Sequence, residues 1–165
     1  MKIFFIADLH LGASYKNLPL EKQRERKSEI YSALGKIFDD AKRTGAGAIV
    51  FGGDVFHAGA RNKQAQKFLF DLIERCGLNC YMILGNHDEN ILLENLPTNL
   101  KLVLKESEIF NLKENVKLCL FPYGTRDFSI LKNLNKSDFN IAVLHGDIYN
   151  SADKSFVDLN LLVEV

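Results

Sequence analysis

Apolar positions fall into two textures along the first half of the chain. The runs at 2–7 (KIFFIA), 48–51 (AIVF) and 80–84 (CYMIL) are nearly continuous. Such runs are expected of strands buried on both faces. Between them, apolar residues recur at helical spacing. Ile30, Leu34, Ile37, Phe38 and Ala41 share one face of a segment spanning about 21–43, and the opposite face is charged. Ala65, Phe68, Leu69, Leu72 and Ile73 do the same over 62–75. Both read as amphipathic helices, with Gly45 and Gly47 ending the first. The order βαβαβ predicts a parallel sheet with helices packed on it.

After residue 98 the pattern shortens. LKLVL (100–104), a segment near 108–112 and VKLCLF (116–121) read as short strands between turn-forming residues. A short helix near 127–134 and a last apolar strand, FNIAVL (139–144), follow. The final stretch, SFVDLNLLVEV, has Phe156, Leu159 and Val163 on one helical side, but no cap or stop signal closes it. No linker, repeat or low-complexity segment interrupts residues 1–165, so a single α/β domain is expected.

Composition changes this picture little. At 165 residues the chain is long enough for one sizeable core. Its net charge is zero, so no overall basic excess points to a nucleic acid. Three cysteines form no CxxC or Cys/His zinc spacing and read as reduced thiols. The opening apolar run stops at Asp8, too short for a signal peptide, and no stretch approaches the length needed to cross a bilayer. A cytoplasmic protein with no membrane association is expected.

Candidate chemistry sits at the strand ends. The first strand leads into Asp8-Leu9-His10 and the second into Asp54-Val55-Phe56-His57. The third leads into Asn86-His87-Asp88 and the last into His145-Gly146-Asp147. The chain has four histidines, and all four lie in these positions. In parallel α/β sheets the carboxyl ends of the strands share one rim, where ligands bind. Side chains two apart on an extended segment point the same way, so Asp8 and His10 are expected to reach one ion. Oxygen and nitrogen donors of this kind suit Mn, Fe or Zn rather than an ion that seeks thiolates. The donors outnumber the needs of one tetrahedral ion, and two ions sharing a carboxylate fit better.

The series DxH, GDxxH, GNHD and a later strand-end His resembles the calcineurin-like metallophosphoesterases. ADLHLG (7–12), GGDVFH (52–57), LGNHD (84–88) and VLHGDI (143–148) are most similar to the branch of SbcD-type DNA repair exonucleases. The resemblance implies a two-sheet sandwich flanked by helices and a metal-dependent phosphoester hydrolase that cleaves DNA with water activated by two divalent ions. Mn is the first choice of ion, with Fe, Zn or Mg as alternatives. It further implies that Asp8 and His10 hold one ion, Asp54 bridges both, and Asn86 and His145 hold the second. His87 would protonate the leaving oxygen, with Asp88 orienting it; His57 would lie near the substrate phosphate or His87, or else serve as a structural hydrogen-bonding residue. Arg126 is a candidate phosphate contact. An SbcC-like ATPase partner and a homodimer follow from the resemblance alone.

One departure stands out. The family's closing GHxH motif, which gives each ion one more His, is absent, and the expectation is that the chain is truncated and lacks the final strands. Two alternatives compete with the nuclease: a small-molecule phosphatase or phosphodiesterase, and a scaffold that uses the fold for protein interaction. Segment 16–27, with five basic and two acidic residues, reads either as a solvated helix face or as a contact to a phosphate backbone.

Overall fold

A computed structural model describes residues 1–57, 63–88, 91, 93–147 and 157. Four parallel strands form the first sheet in the order β1 (Ile3–Ile6), β2 (Ala48–Gly52), β3 (Cys80–Ile83), β4 (Leu100–Val103). Helix α1 (Leu20–Arg43) joins β1 to β2, and α2 (Lys63–Cys76) joins β2 to β3. Both helices lie on one face, where Leu34, Phe38 and Ala41 of α1 meet Leu69, Phe70 and Ile73 of α2 over Ile49, Phe51 and Met82 of the sheet. Tyr31 and Phe68 close the seam between the helices, with ring centroids 4.5 Å apart.

The second sheet, in the order β5 (Glu108–Lys113), β6 (Val116–Leu120), β7 (Phe139–Val143), covers the other face. Leu118, Leu120 and Val143 pack on Val50, Tyr81 and Ile83. Tyr81 also meets Phe110 edge-on at 5.0 Å. The described residues therefore form an α/β sandwich of two sheets, with α1 and α2 on the outer face of the first, in keeping with the fold the resemblance implied. The β5–β6 pairing is antiparallel and β6–β7 parallel, so the loops after β6 and β7 leave the sheet side by side. The hydrogen bond from Phe121 N–H to the Val143 carbonyl, at 3.0 Å, ties them together.

Most predicted elements lie within a residue or two of their places, and three readings need correction. First, β1 is not buried on both faces. It is the edge strand, and Phe5 is 59% exposed, because β2 is its only described sheet neighbour. Second, the short helix near 127–134 is a 3-10 segment at Ser129–Asn133. Third, the DxH segment is not extended, as described below. The terminal helix read from Phe156, Leu159 and Val163 lies outside the described residues. Burial raises the thiols of Cys80 and Cys119 above the ordinary cysteine value, and Cys76 beside Cys80 adds to the effect there. That suppresses the reactive thiolate and leaves these cysteines as core residues.

Candidate metal centre

The parallel register sets the carboxyl ends of β1, β2 and β3 level, with Ile6 opposite Phe51 and Gly52 opposite Ile83. The loops beyond are laced by backbone hydrogen bonds. Asp8 N–H donates to the Gly53 carbonyl (3.2 Å), His10 N–H to Asp54 (2.9 Å), Leu11 N–H to Val55 (2.8 Å) and His57 N–H to Leu11 (2.9 Å). The chain turns sharply to make these bonds. Asp8, His10 and Asp54 all have left-handed backbone, with φ of 52°, 43° and 50°. Asp8 and His10 thus reach a common point by curling the loop, not by the strand alternation that their spacing suggests.

Asp54 is the centre of the arrangement. Its carboxylate is 7% exposed, and its two oxygens face different partners. Oδ2 lies 3.6 Å from His10 Nε2 and 4.0 Å from His87 Nε2. Oδ1 lies 3.4 Å from His145 Nε2 and accepts the His87 backbone N–H at 3.0 Å. Asp8, His10 and Asp54 offer ligand atoms all within 4.8 Å of one another. On the other side, His145 Nε2 is 3.2 Å from Asn86 Oδ1. The structure therefore brings Asp8, His10, Asp54, Asn86 and His145 into two adjoining donor sets that share one carboxylate.

The chemistry of the second set fits a cation. His145 Nδ1 lies 3.1 Å from the Gly52 carbonyl, and a carbonyl can only accept, so Nδ1 carries the proton. Nε2 then faces the carboxylate oxygen of Asp54 and the amide oxygen of Asn86. Two acceptor oxygens and a ring nitrogen converging in this way call for a proton or a metal ion among them. The fixed tautomer is what a metal-ligating histidine needs from its outer partner.

Two glycines make room for this geometry. A Cβ on Gly53 would press on the His145 ring, 2.5 Å from Nδ1. A Cβ on Gly85 would lie 2.5 Å from the Asp54 backbone nitrogen and 2.8 Å from His145 Nε2, and closer still to Asp54 Oδ1. The patterns GGD and GNHD contain these glycines, yet apolar periodicity gives them no part. Gly85→Ala is expected to displace the shared carboxylate and weaken divalent-ion uptake by roughly 10–100-fold or more, the scale seen when ligand-orienting contacts are lost. Calorimetric titration with Mn²⁺ measures it, and uptake equal to wild type would show that the loop yields.

Asp88 departs from expectation. It was to orient the His87 imidazole, but it is buried, and both its oxygens are taken by backbone. Oδ2 accepts from Val55 N–H (3.1 Å) and Gly85 N–H (2.8 Å), and Oδ1 from Phe56 N–H (2.6 Å). Burial raises its carboxyl above the usual range; the three N–H groups pull it back, and the charge of Asp54 adds a smaller push upward. Asp88 pins the β2 loop to the β3 loop. His87 instead stands half-exposed beside His10 and His57, with ring centroids 5.1 Å and 6.0 Å away.

A cavity of about 770 Å³ opens at these histidines and runs between the β1 edge and α1, past Tyr15 and Arg26. Arg26 is the member of the basic segment that reaches it; it also pairs with Glu29 at 3.1 Å. Arg126 is exposed on the loop after β6, near Gly124 and Thr125, which adjoin His145.

The model of the calcineurin-like phosphoesterase family matches residues 1–163. The chain belongs to this family. It is also similar to a protein of Bacillus subtilis (strain 168) described as "Uncharacterized metallophosphoesterase YhaO", with 33% identity over 88 residues. That match takes in 50% of this chain and 22% of the relative, so the shared stretch spans about a fifth of the relative's length. The family takes its name from phosphoester cleavage. In this calcineurin-like phosphoesterase chain, the donors that converge on Asp54 are the residues able to hold the divalent ions. Bound there, such ions would acidify a water molecule and neutralise charge developing on the phosphate. No helix among the described residues is long and apolar enough to cross a membrane.

Proposed function

We propose that this chain is the catalytic part of a two-metal phosphodiesterase that cleaves DNA, with Mn²⁺ as the working ion. The observation that carries the reading is the division of Asp54, one oxygen toward His10 and the other toward His145. A single ion has no use for a carboxylate with donors on both sides. Asp8 and His10 complete one set, and Asn86 and His145 the other. His87, held through its backbone N–H at the edge of the site, is half-exposed and in this reading gives a proton to the leaving oxygen. His57 lies on the same side and would contact the phosphate or His87, and Arg26 or Arg126 would meet phosphates further along. The choice of DNA rests on the likeness of the four strand-end motifs to the SbcD-type exonucleases. An SbcC-like ATPase partner, a homodimer and a cytoplasmic location are part of the same reading.

The test sets bis-p-nitrophenyl phosphate beside linear double-stranded DNA, with Mn²⁺ and with His87→Ala as control. Both substrates should be cleaved. The variant should lose roughly 10²–10⁴-fold in rate, the usual contribution of a general acid. Cleavage of the small diester alone would replace the nuclease by a small-molecule phosphodiesterase. Full activity in the variant would remove His87 from the mechanism.

A further inference from the structure

His57 belongs to neither donor set around Asp54, yet it is as firmly placed as their members. Its backbone N–H is bonded to the Leu11 carbonyl at 2.9 Å, and Leu11 and Phe56 form a parallel bridge between the two loops. One ring nitrogen each from His10, His57 and His87 can lie within 4.8 Å of the others. The His57 and His87 rings are nearly parallel, 16° apart, and His10 stands edge-on to both.

We propose that His10, His57 and His87 form a second site, overlapping the first at His10, for one imidazole-preferring divalent ion, of which Zn²⁺ is the representative, and that filling it shuts down the neighbouring centre. The second half of this statement rests on the reading of Asp8, His10 and Asp54 as part of the catalytic site; the first half does not.

The donor chemistry separates the two places. The three ligands of the triad are all nitrogen, with Asp54 Oδ2 beside two of them, and so favour Zn²⁺, Ni²⁺ or Cu²⁺ over the hard ions Mg²⁺ and Mn²⁺, which prefer oxygen. Three imidazoles with a fourth position open is an established zinc geometry, and here the triad faces the cavity beside α1. One divalent ion can take a lone pair from each of the three rings at once. The backbones that carry the rings are also held before any ion arrives, His10 and His57 by the laced loops and His87 by its N–H to Asp54 Oδ1. The ordering cost left for binding is that of the side chains.

Inhibition follows from the inventory of lone pairs. A neutral imidazole has one and serves one ion at a time. His10 belongs to both the triad and the Asp8–His10–Asp54 set. An ion in the triad therefore withdraws His10 from that set and occupies the nitrogen with which His87 would handle a proton.

His57 belongs to the triad and not to the Asp8–His10–Asp54 set, which makes the test direct. In the wild-type chain, ring-nitrogen resonances are followed by NMR while Zn²⁺ is added, and separately Mg²⁺. Zn²⁺ should shift the His57 ring nitrogen together with those of His10 and His87, and Mg²⁺ should leave His57 in place. A His57 resonance unmoved at saturating Zn²⁺ overturns the proposal. In calorimetry, His57→Gln should lower the number of bound Zn²⁺ by one, or weaken one site by at least about tenfold; unchanged number and affinity also overturn it. If the wild type hydrolyses diesters with Mn²⁺, excess Zn²⁺ should inhibit it, and His57→Gln should need about tenfold more Zn²⁺ for the same fractional inhibition. Absence of hydrolysis would defeat the proposed function while the NMR result still decides the site.

Discussion

Asp54→Asn is expected to abolish hydrolysis, lowering the rate by roughly 10³-fold or more. Both donor sets meet at this carboxylate, so its neutralisation weakens both ions together. Metal centres of this kind contribute several kcal/mol to transition-state stabilisation, and each 1.4 kcal/mol is about a factor of ten in rate. The substitution also replaces one acceptor oxygen by an NH₂ group, which would face a histidine nitrogen or the His87 N–H. Neither the activity nor the ion stoichiometry should recover at high Mn²⁺. An Asp8→Asn variant serves as comparison, because Asp8 belongs to one set only; it should keep the ion at Asn86 and His145. If Asp54→Asn retained two tightly bound ions, the shared carboxylate would not be the bridge.

The second large effect concerns stability. Asp88→Ala would strip the acceptor from three backbone N–H groups, those of Val55, Phe56 and Gly85, at a site where Asp88 itself is 1% exposed. A buried donor left without a partner costs about 1–3 kcal/mol. Three such donors give about 3 kcal/mol even at the lower bound, which corresponds to a fall in Tm of roughly 6–12 °C for a domain of this size. Asp88→Asn keeps one acceptor oxygen but turns an NH₂ toward the remaining backbone donors, and should fall between the two. Thermal unfolding followed by circular dichroism measures the series. A shift of only a degree or two would mean that water replaces the carboxylate. Were Asp88 chiefly an orienter of His87, rate would fall with little change in Tm.

These two residues show where sequence reading succeeds and where it stops. The apolar runs of β2 and β3 and the faces of α1 and α2 give the sheet and its helix layer, because burial forces the period of each element. The polar ends of those strands follow, since parallel strands can only deliver their loops to one rim. Exposure along β1 is not legible in this way. Its sequence resembles that of β2, and only the sheet order makes Phe5 an edge residue. The role of Asp88 was misread for a similar reason. A carboxylate one residue after a histidine suggests a charge partner, yet the β2 loop, more than thirty positions earlier, brings two of its three donors. Gly53 and Gly85 are visible as letters, but their purpose depends on His145, contributed by the other sheet. The three-histidine cluster could be suspected from the count of histidines at strand ends; its overlap with the Asp8–His10–Asp54 set at His10 needs distances.

The left-handed turns at Asp8, His10 and Asp54 have a cost that reaches beyond ion binding. Each holds an ordinary side chain in a conformation that glycine adopts freely, at an expense of about 1 kcal/mol. The fold alone would gain from glycine at all three positions, so here selection for durability and selection for chemistry pull in opposite directions. On the function proposed above, the two aspartates and the histidine at these turns exchange resilience for reactivity, and glycine in their place would give a hardier chain with fewer donors.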